Sequence, residues 1–359
     1  MTPPKVAILI PTMNRSDFLI RQLRYYASVN SPHPIYIGDA SNEEHRQRIQ
    51  DECKKIGQKL TIHYHHWPEM NDRQTISFLG ETAEEKYCAF TGDDDFLIPD
   101  SLIKCAEFLE IYPDYGTAQG RAVLFTLKEP GPFGAMNGVG PYWSRKEAEE
   151  KTAAERLLHF GRNYWVPQFS VHRRNEFLED SINYRKITDK SFGELLHSFT
   201  FISKGKSKFI DCLYLIRQGH DARYVLPGAF DWLTGSNWQP SFQLFMNSVS
   251  EGLVKVDNIK AEKAKEVVKQ AFRTYLLRAI TKKHKYKNKD RIAGKLFRDW
   301  IKGIPGTKMT VNMARTLFSI ITSRTGSLSL PALLRHSSPY HKDFMPVYAA
   351  ITKQPVKTQ

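Results

Sequence analysis

Long hydrophobic runs are absent from this 359-residue sequence. Its apolar runs, such as VAILI at residues 6–10, reach about a quarter of the ~20 residues that cross a bilayer, so no membrane-spanning helix is expected. Cysteine is scarce: Cys53, Cys88, Cys105 and Cys212 stand far apart with no C-x-x-C pair. That spacing argues against a disulfide framework or a zinc site and for reduced thiols in a cytoplasmic protein. The opening MTPPKVAILIPTMNR lacks a basic n-region and a small-residue cleavage site, so no cleaved secretion signal is expected. Internal repeats are missing too. Apolar and aromatic residues are not: at 41% and 12% they exclude a disordered chain, and the length suggests about two domains.

Positive charge is abundant, and it is local. The net charge is +14, yet residues 255–308 hold 17 Lys or Arg against 5 Asp or Glu, while the other 305 residues hold 35 against 33. A nearly neutral body thus carries one basic segment. The charge describes an appendage, and nucleic acid is not the expected partner of the body.

Along the first 110 residues, strand and helix patterns alternate four times. Strand-like runs at 6–10 (ending at Pro11), 35–37, 60–64 and 87–90 alternate with helical patterns at 18–26, 43–56 and 72–84, and Asn14, Arg15, Ser16 and Asp17 offer N-caps for the first helix. This alternation predicts a doubly wound α/β sheet. The pattern turns irregular from Gly116 to about Arg174, then predicts a helix at 189–201 and a strand at 209–217. Past Val254 the chain reads as basic and mostly helical, breaks at Gly303-Ile304-Pro305-Gly306, and ends after Ser323 in a weakly structured tail.

Ligand sites in doubly wound sheets lie beyond the carboxyl ends of the strands. Here three such ends carry Asn14-Arg15, Asp39 and Asp93-Asp94-Asp95. Consecutive carboxylates raise one another's pKa unless a cation sits among them, so something positive is expected there. Hard oxygen ligands suit magnesium, manganese or calcium; Ile98 stands where an EF-hand loop needs glycine. Read alone, the run is equally an acidic turn capping the helix that begins near Pro99. The alternating strands ahead of it favour a site.

Taken together, IPTMNR (10–15), IGDAS (37–41) and TGDDDFLIPDSL (91–102) resemble the N-terminal half of glycosyltransferase family 2-like enzymes of the GT-A fold. The resemblance covers about the first 105 residues. It implies that Pro11, Thr12, Asn14 and Arg15 line the nucleotide pocket and that Asp39 contacts the base. It also implies that the acidic cluster holds ribose and a divalent metal, Mn2+ or Mg2+, on the diphosphate. Counting back from Pro99, the metal carboxylate falls on Asp94, with Asp93 in a donor role and Asp95 in a donor or metal role, while Gly92 stands where the family has its first aspartate. The resemblance further implies a catalytic acidic residue at Asp189, with Glu194 as second choice, and a metal or diphosphate contact at His220. Asp189 is equally an N-cap and His220 a surface turn residue.

Other signals are weaker. Gly205-Lys206-Ser207 follows Thr200 where a P-loop needs glycine, and Gly138-Val139-Gly140 follows a loop. His63, His65 and His66 lack a fourth zinc ligand. Trp232, Trp238 and Phe242 suit either an acceptor sugar or a helical core. Lys263, Lys265, Lys269, Arg273 and Arg278, beside Val267, Val268, Phe272, Leu276 and Leu277, suit a helix packed on the body or lying on an anionic membrane.

The expected architecture is a GT-A, Rossmann-like mixed sheet. It comprises a nucleotide-sugar half (1–115), an acceptor half (116–254) and a basic helical C-terminal region (255–359). The expected function is metal-dependent, inverting transfer of a sugar from a nucleotide-sugar donor to a carbohydrate or glycolipid hydroxyl, in surface polysaccharide or glycolipid synthesis at the inner face of a membrane. The alternatives are a metal-dependent nucleotidyltransferase, and a non-catalytic membrane- or nucleic-acid-binding protein acting through the basic segment.

Overall fold

The computed structural model describes residues 3–143, 145–221, 226–302 and 327–352, the side chains of 282–302 excepted. Four parallel strands build one wing of the sheet: β1 (Val6–Thr12), β2 (Ile35–Asp39), β3 (Ile62–His66) and β4 (Tyr87–Phe90). The helices α1 (Ser16–Ser28), α2 (Glu43–Ile56) and α3 (Asp72–Thr82) connect them, as the alternation predicts. β1 runs through Pro11 and does not end before it: the β4 pairing stops at Leu9, and Pro11 meets only Gly38 of β2. A proline is tolerated where one side of the ladder is open. β3 lies two residues later than its apolar run suggests.

After β4 come the short β5 (Phe96–Leu97) and α4 (Pro99–Ile111), then β6 (Tyr115–Leu127) and β7 (Met136–Trp143). The segment that reads as irregular is therefore led by one of the two longest strands. Gly120 misleads because it permits close approach and does not mark a turn: a Cβ there would stand 2.6 Å from the Cys212 carbonyl oxygen, whereas Gly131 and Gly134, at φ of 128° and 150°, do belong to the loop between β6 and β7. Next are α5 (Ala153–Arg162), β8 (Val171–Arg173), α6 (Arg174–Tyr184), α7 (Lys190–Lys204) and β9 (Lys206–Gln218). The strand order is β3-β2-β1-β4-β8-β6-β9-β5, with β7 antiparallel to β6 and β9 parallel to it.

Beyond β9 the chain is helical: α8 (Ala229–Leu233), α9 (Trp238–Asp257) and α10 (Ala261–Lys302). Two further helices, α11 (Leu330–Leu333) and α12 (His341–Thr352), lie in the tail that the sequence reading leaves weakly structured. α12 buries Phe344, Val347 and Ile351 in the same core as β1, α1 and β9. A second core joins α5, α7, α9 and the first turns of α10 through Leu157, Phe192, Phe245 and Phe272. The break expected at 303–306 lies outside the described residues. No described helix is long and apolar enough to cross a membrane.

Candidate functional site

The turn after β4 is held at the carboxyl end of the sheet by groups from both halves of the chain. Asp93, Asp94 and Asp95 are all buried there, and the expected positive charge comes from the protein itself. Arg15 reaches Asp93 Oδ1 at 3.2 Å and Asp94 Oδ2 at 2.8 Å. Arg217 Nε donates to Asp95 Oδ2 at 2.7 Å and the Gln218 amide to Asp95 Oδ1 at 3.1 Å. Thr12 donates to Asp93 Oδ2 at 2.8 Å, and His220 Nε2 lies 2.8 Å from Asp94 Oδ2.

These partners separate three adjacent carboxyls electrostatically. Burial would raise all three, but the His220 hydrogen bond and the Arg15 guanidinium hold Asp94 well below the carboxylate range. Burial dominates at Asp93, pushed up to about 7, and at Asp95, pushed up to about 6, against the pull of Arg15 and Arg217.

Helix α1 serves this turn with one face. Its N-cap is Arg15, which makes no capping hydrogen bond and turns its guanidinium to the acids. Phe18 stacks on His220 (5.0 Å, 22°) and lies beneath the Arg15 guanidinium at 4.7 Å. Arg21, 1% exposed, donates to the Asp94 carbonyl, the Gln218 side chain and the Pro132 carbonyl. Burial lowers its pKa to about 10. Gln22 donates to the carbonyls of Gly92 and Asp95. Sequence reasoning missed Phe18, Arg21, Gln22 and Arg217. The signal was present in Arg21 and Gln22, polar residues flanked by Leu19, Ile20 and Leu23 on a helix that had to be buried.

Gly92 explains the missing first aspartate of the motif. A Cβ there would stand 2.6 Å from Asp94 Oδ1, so glycine makes room for the carboxylate that meets His220.

The second strand end forms the adjoining wall. Asp39, fully buried, accepts from the Ser41 amide and from Tyr64 Oη at 2.6 Å. The Asn14 amide donates to Ser41 Oγ, and Asn14 Oδ1 accepts from the Asn42 amide; Asn14 takes a left-handed φ of 55° that suits asparagine. Pro11 pairs beside Gly38. The three histidines of β3 separate: His63 stacks on Tyr36, His65 on Trp67, and His66 contacts the Ser41 carbonyl.

Asp189 is half-buried at the head of α7. It is the N-cap: Oδ1 accepts from the Phe192 amide at 2.8 Å and from Trp232 Nε1 at 3.0 Å. Trp232 is buried against Phe192, and Trp238 stacks on Phe242, so these aromatics build the second core. Glu194 accepts from Tyr164 Oη at 2.6 Å, and burial raises its pKa.

No cluster of three or more His, Cys, Asp or Glu among the described residues has metal-holding geometry. Asp94 and His220 form a pair, a carboxylate and an imidazole, which is a donor set that divalent manganese accepts. Asp95 has both oxygens engaged by β9.

No family profile and no curated protein matches the chain. Among solved structures, S. aureus TarS 1-349, a GT-A-type glycosyltransferase, aligns with 83% of this chain and 78% of its own at a TM-score of 0.50 and 14% identity. The fold is GT-A. The same TarS 1-349 in complex with UDP aligns at 0.49 and 16% identity over 83% of this chain and 78% of its own. Against the longer TarS structure the chain spans 42% of that protein's length, with 74% of its own covered, a TM-score of 0.47 and 14% identity. The GT-A fold expected from the three sequence motifs is therefore present.

Proposed function

We propose that the chain is a glycosyltransferase that moves a sugar from a nucleoside diphosphate donor to a hydroxyl acceptor with inversion. The observation that carries this reading is the acidic turn at the carboxyl end of a GT-A sheet, with cations from two distant segments on it. In this reading Pro11, Thr12, Asn14 and Asp39 line the nucleoside end, with Asp93 and Asp95 shaping the ribose and diphosphate floor. Asp94 and His220 would hold a divalent metal, Mn2+ or Mg2+, completed by diphosphate oxygens. The bound ion would supply positive charge to the leaving group without a proton transfer.

An acceptor hydroxyl is a poor nucleophile until a base takes its proton as it attacks. Asp189 fits that role: its Oδ1 is fixed by Phe192 and Trp232, so Oδ2 is the oxygen that receives the proton. The new bond forms from the acceptor oxygen to the anomeric carbon. The bond to the diphosphate oxygen breaks, and that oxygen keeps the electron pair beside Arg15. The acceptor is a carbohydrate or glycolipid, and the exposed basic side of α10 suits peripheral contact with an anionic membrane.

The test is a thermal-shift panel of UDP, GDP, CDP and dTDP with and without Mn2+, on the native chain and on Asp94→Ala. A ligand at about 100 times its Kd adds roughly 2.7 kcal/mol of stability. One nucleotide should stabilise the native chain with metal and leave Asp94→Ala unmoved; no shift from any nucleotide would overturn the donor site. With the responding donor sugar, Asp189→Asn should keep the helix cap and lose transfer by a factor of about 10² to 10⁴.

A further inference from the structure

Arg15 Nη2 lies 2.8 Å from Asp94 Oδ2 and 3.2 Å from His220 Nε2, the two atoms that the reading above gives to the metal. Those atoms are themselves 2.8 Å apart. A divalent ion held by both would need the Asp94 Oδ2 lone pair that Arg15 now uses, and His220 Nε2 without its proton, beside which the guanidinium lies. Two cations cannot share that space. Arg15 has somewhere to go: its second nitrogen is on Asp93, its side chain is 24% exposed, and its buried Nε has no hydrogen-bond partner.

We propose that Arg15 and the divalent ion are alternative occupants of the Asp94–His220 pair, so that metal entry displaces the guanidinium and frees it for the incoming diphosphate. The inference rests on the metal and donor reading of the same site. It makes the site a cation exchanger: the acids are never left unpaired, and the displaced charge stays where the diphosphate arrives. Phe18 stacks under both His220 and Arg15, which keeps the two within reach of each other throughout.

The exchange predicts effects of opposite sign from one substitution. In Arg15→Gln, Mn2+ no longer competes with a guanidinium, so Mn2+ alone should bind about tenfold tighter, equivalent to about 1.4 kcal/mol. UDP alone, without metal, should bind more weakly because one cation is gone. A general folding defect would weaken both. The experiment is a titration of the full chain, native and Arg15→Gln, with Mn2+ followed by the paramagnetic resonance of the free ion, and with UDP by calorimetry. Thermal melting verifies the fold. Arg15→Lys, which keeps the charge on a compact head that cannot bridge both atoms, should fall between the two in Mn2+ affinity and carries the test if the Gln variant does not fold. Unchanged or weaker Mn2+ binding in the variants, with native binding of Mn2+ and UDP intact, overturns the exchange alone. Absence of Mn2+ binding to every protein, even with UDP, overturns the metal reading together with it.

Discussion

Gly92 and Asp94 divide one small volume. A methyl group at 92 would press on Asp94 Oδ1 from 2.6 Å, and the carboxylate would have to turn from His220. On the proposed metal reading, Gly92→Ala should therefore weaken Mn2+ binding about tenfold or more, a cost of about 1.4 kcal/mol, while urea unfolding stays near that of the native chain; isothermal titration beside a urea curve separates the two. A second residue sets an acid limit on stability. His172 is buried with Nε2 on the carbonyls of Pro167 and Gln168, and burial lowers its pKa to about 4. The unfolded chain protonates near 6.5. Neutral His172 thus contributes stability that is whole above pH 6.5 and is lost as pH falls towards 4, about 2 kcal/mol by pH 5. Burial raises Asp93, Asp95 and Asp180, which pull the other way over the same range. The comparison must therefore be between chains: from pH 7.5 to 5 the native protein should lose about 2 kcal/mol more than His172→Gln in urea unfolding. An equal loss would remove His172 from the account.

At the scale of elements, α5 and α10 touch backbone to backbone. A Cβ on Gly161 would stand 2.4 Å from the Ala271 carbonyl oxygen, next to Val268 and Phe272, which anchor the basic helix in the second core. Gly161→Ala should cost about 1–3 kcal/mol through overpacking, read as a lower urea midpoint. Elements of strong period were legible in sequence: α2 and β4 begin and end where their patterns do. So were the strand-end residues Arg15, Asp39 and Asp93 to Asp95, because the carboxyl edge of a doubly wound sheet can be found from alternation alone. β6 was not legible, since Gly120 serves close strand approach, which a sequence cannot distinguish from a turn. Arg217 was hidden for a related reason: its partner is 122 residues away, and no local pattern announces such a pairing.

At the scale of the whole molecule, the C-terminal helix closes the first core. Phe344 is fully buried there, and the Ile351 carbonyl accepts from the Gly134 amide at 3.0 Å. The Gly131–Gly134 loop in turn gives its carbonyls to Arg21 and Gln218, which brace the acidic turn. Phe344→Ala should cost about 3–5 kcal/mol, and differential scanning calorimetry would show it; a chain that melts unchanged would mean the tail contributes nothing to the core.

The pairing of Asp95 with Arg217 and of Asp94 with His220 across β9 also bears on how the chain is made. Contacts of such long sequence separation form late, because the closure entropy of the intervening loop comes first. A nascent chain that has emerged only through α4 carries three neighbouring carboxylates with Arg15 and Arg21 but without Arg217 or His220. During synthesis, then, the pocket cannot mature until β9 is out and laid parallel beside β6. A ribosome-arrested fragment of the first wing would carry the acidic turn without its β9 cation, and on the proposed reading donor binding would report that the chain has finished folding.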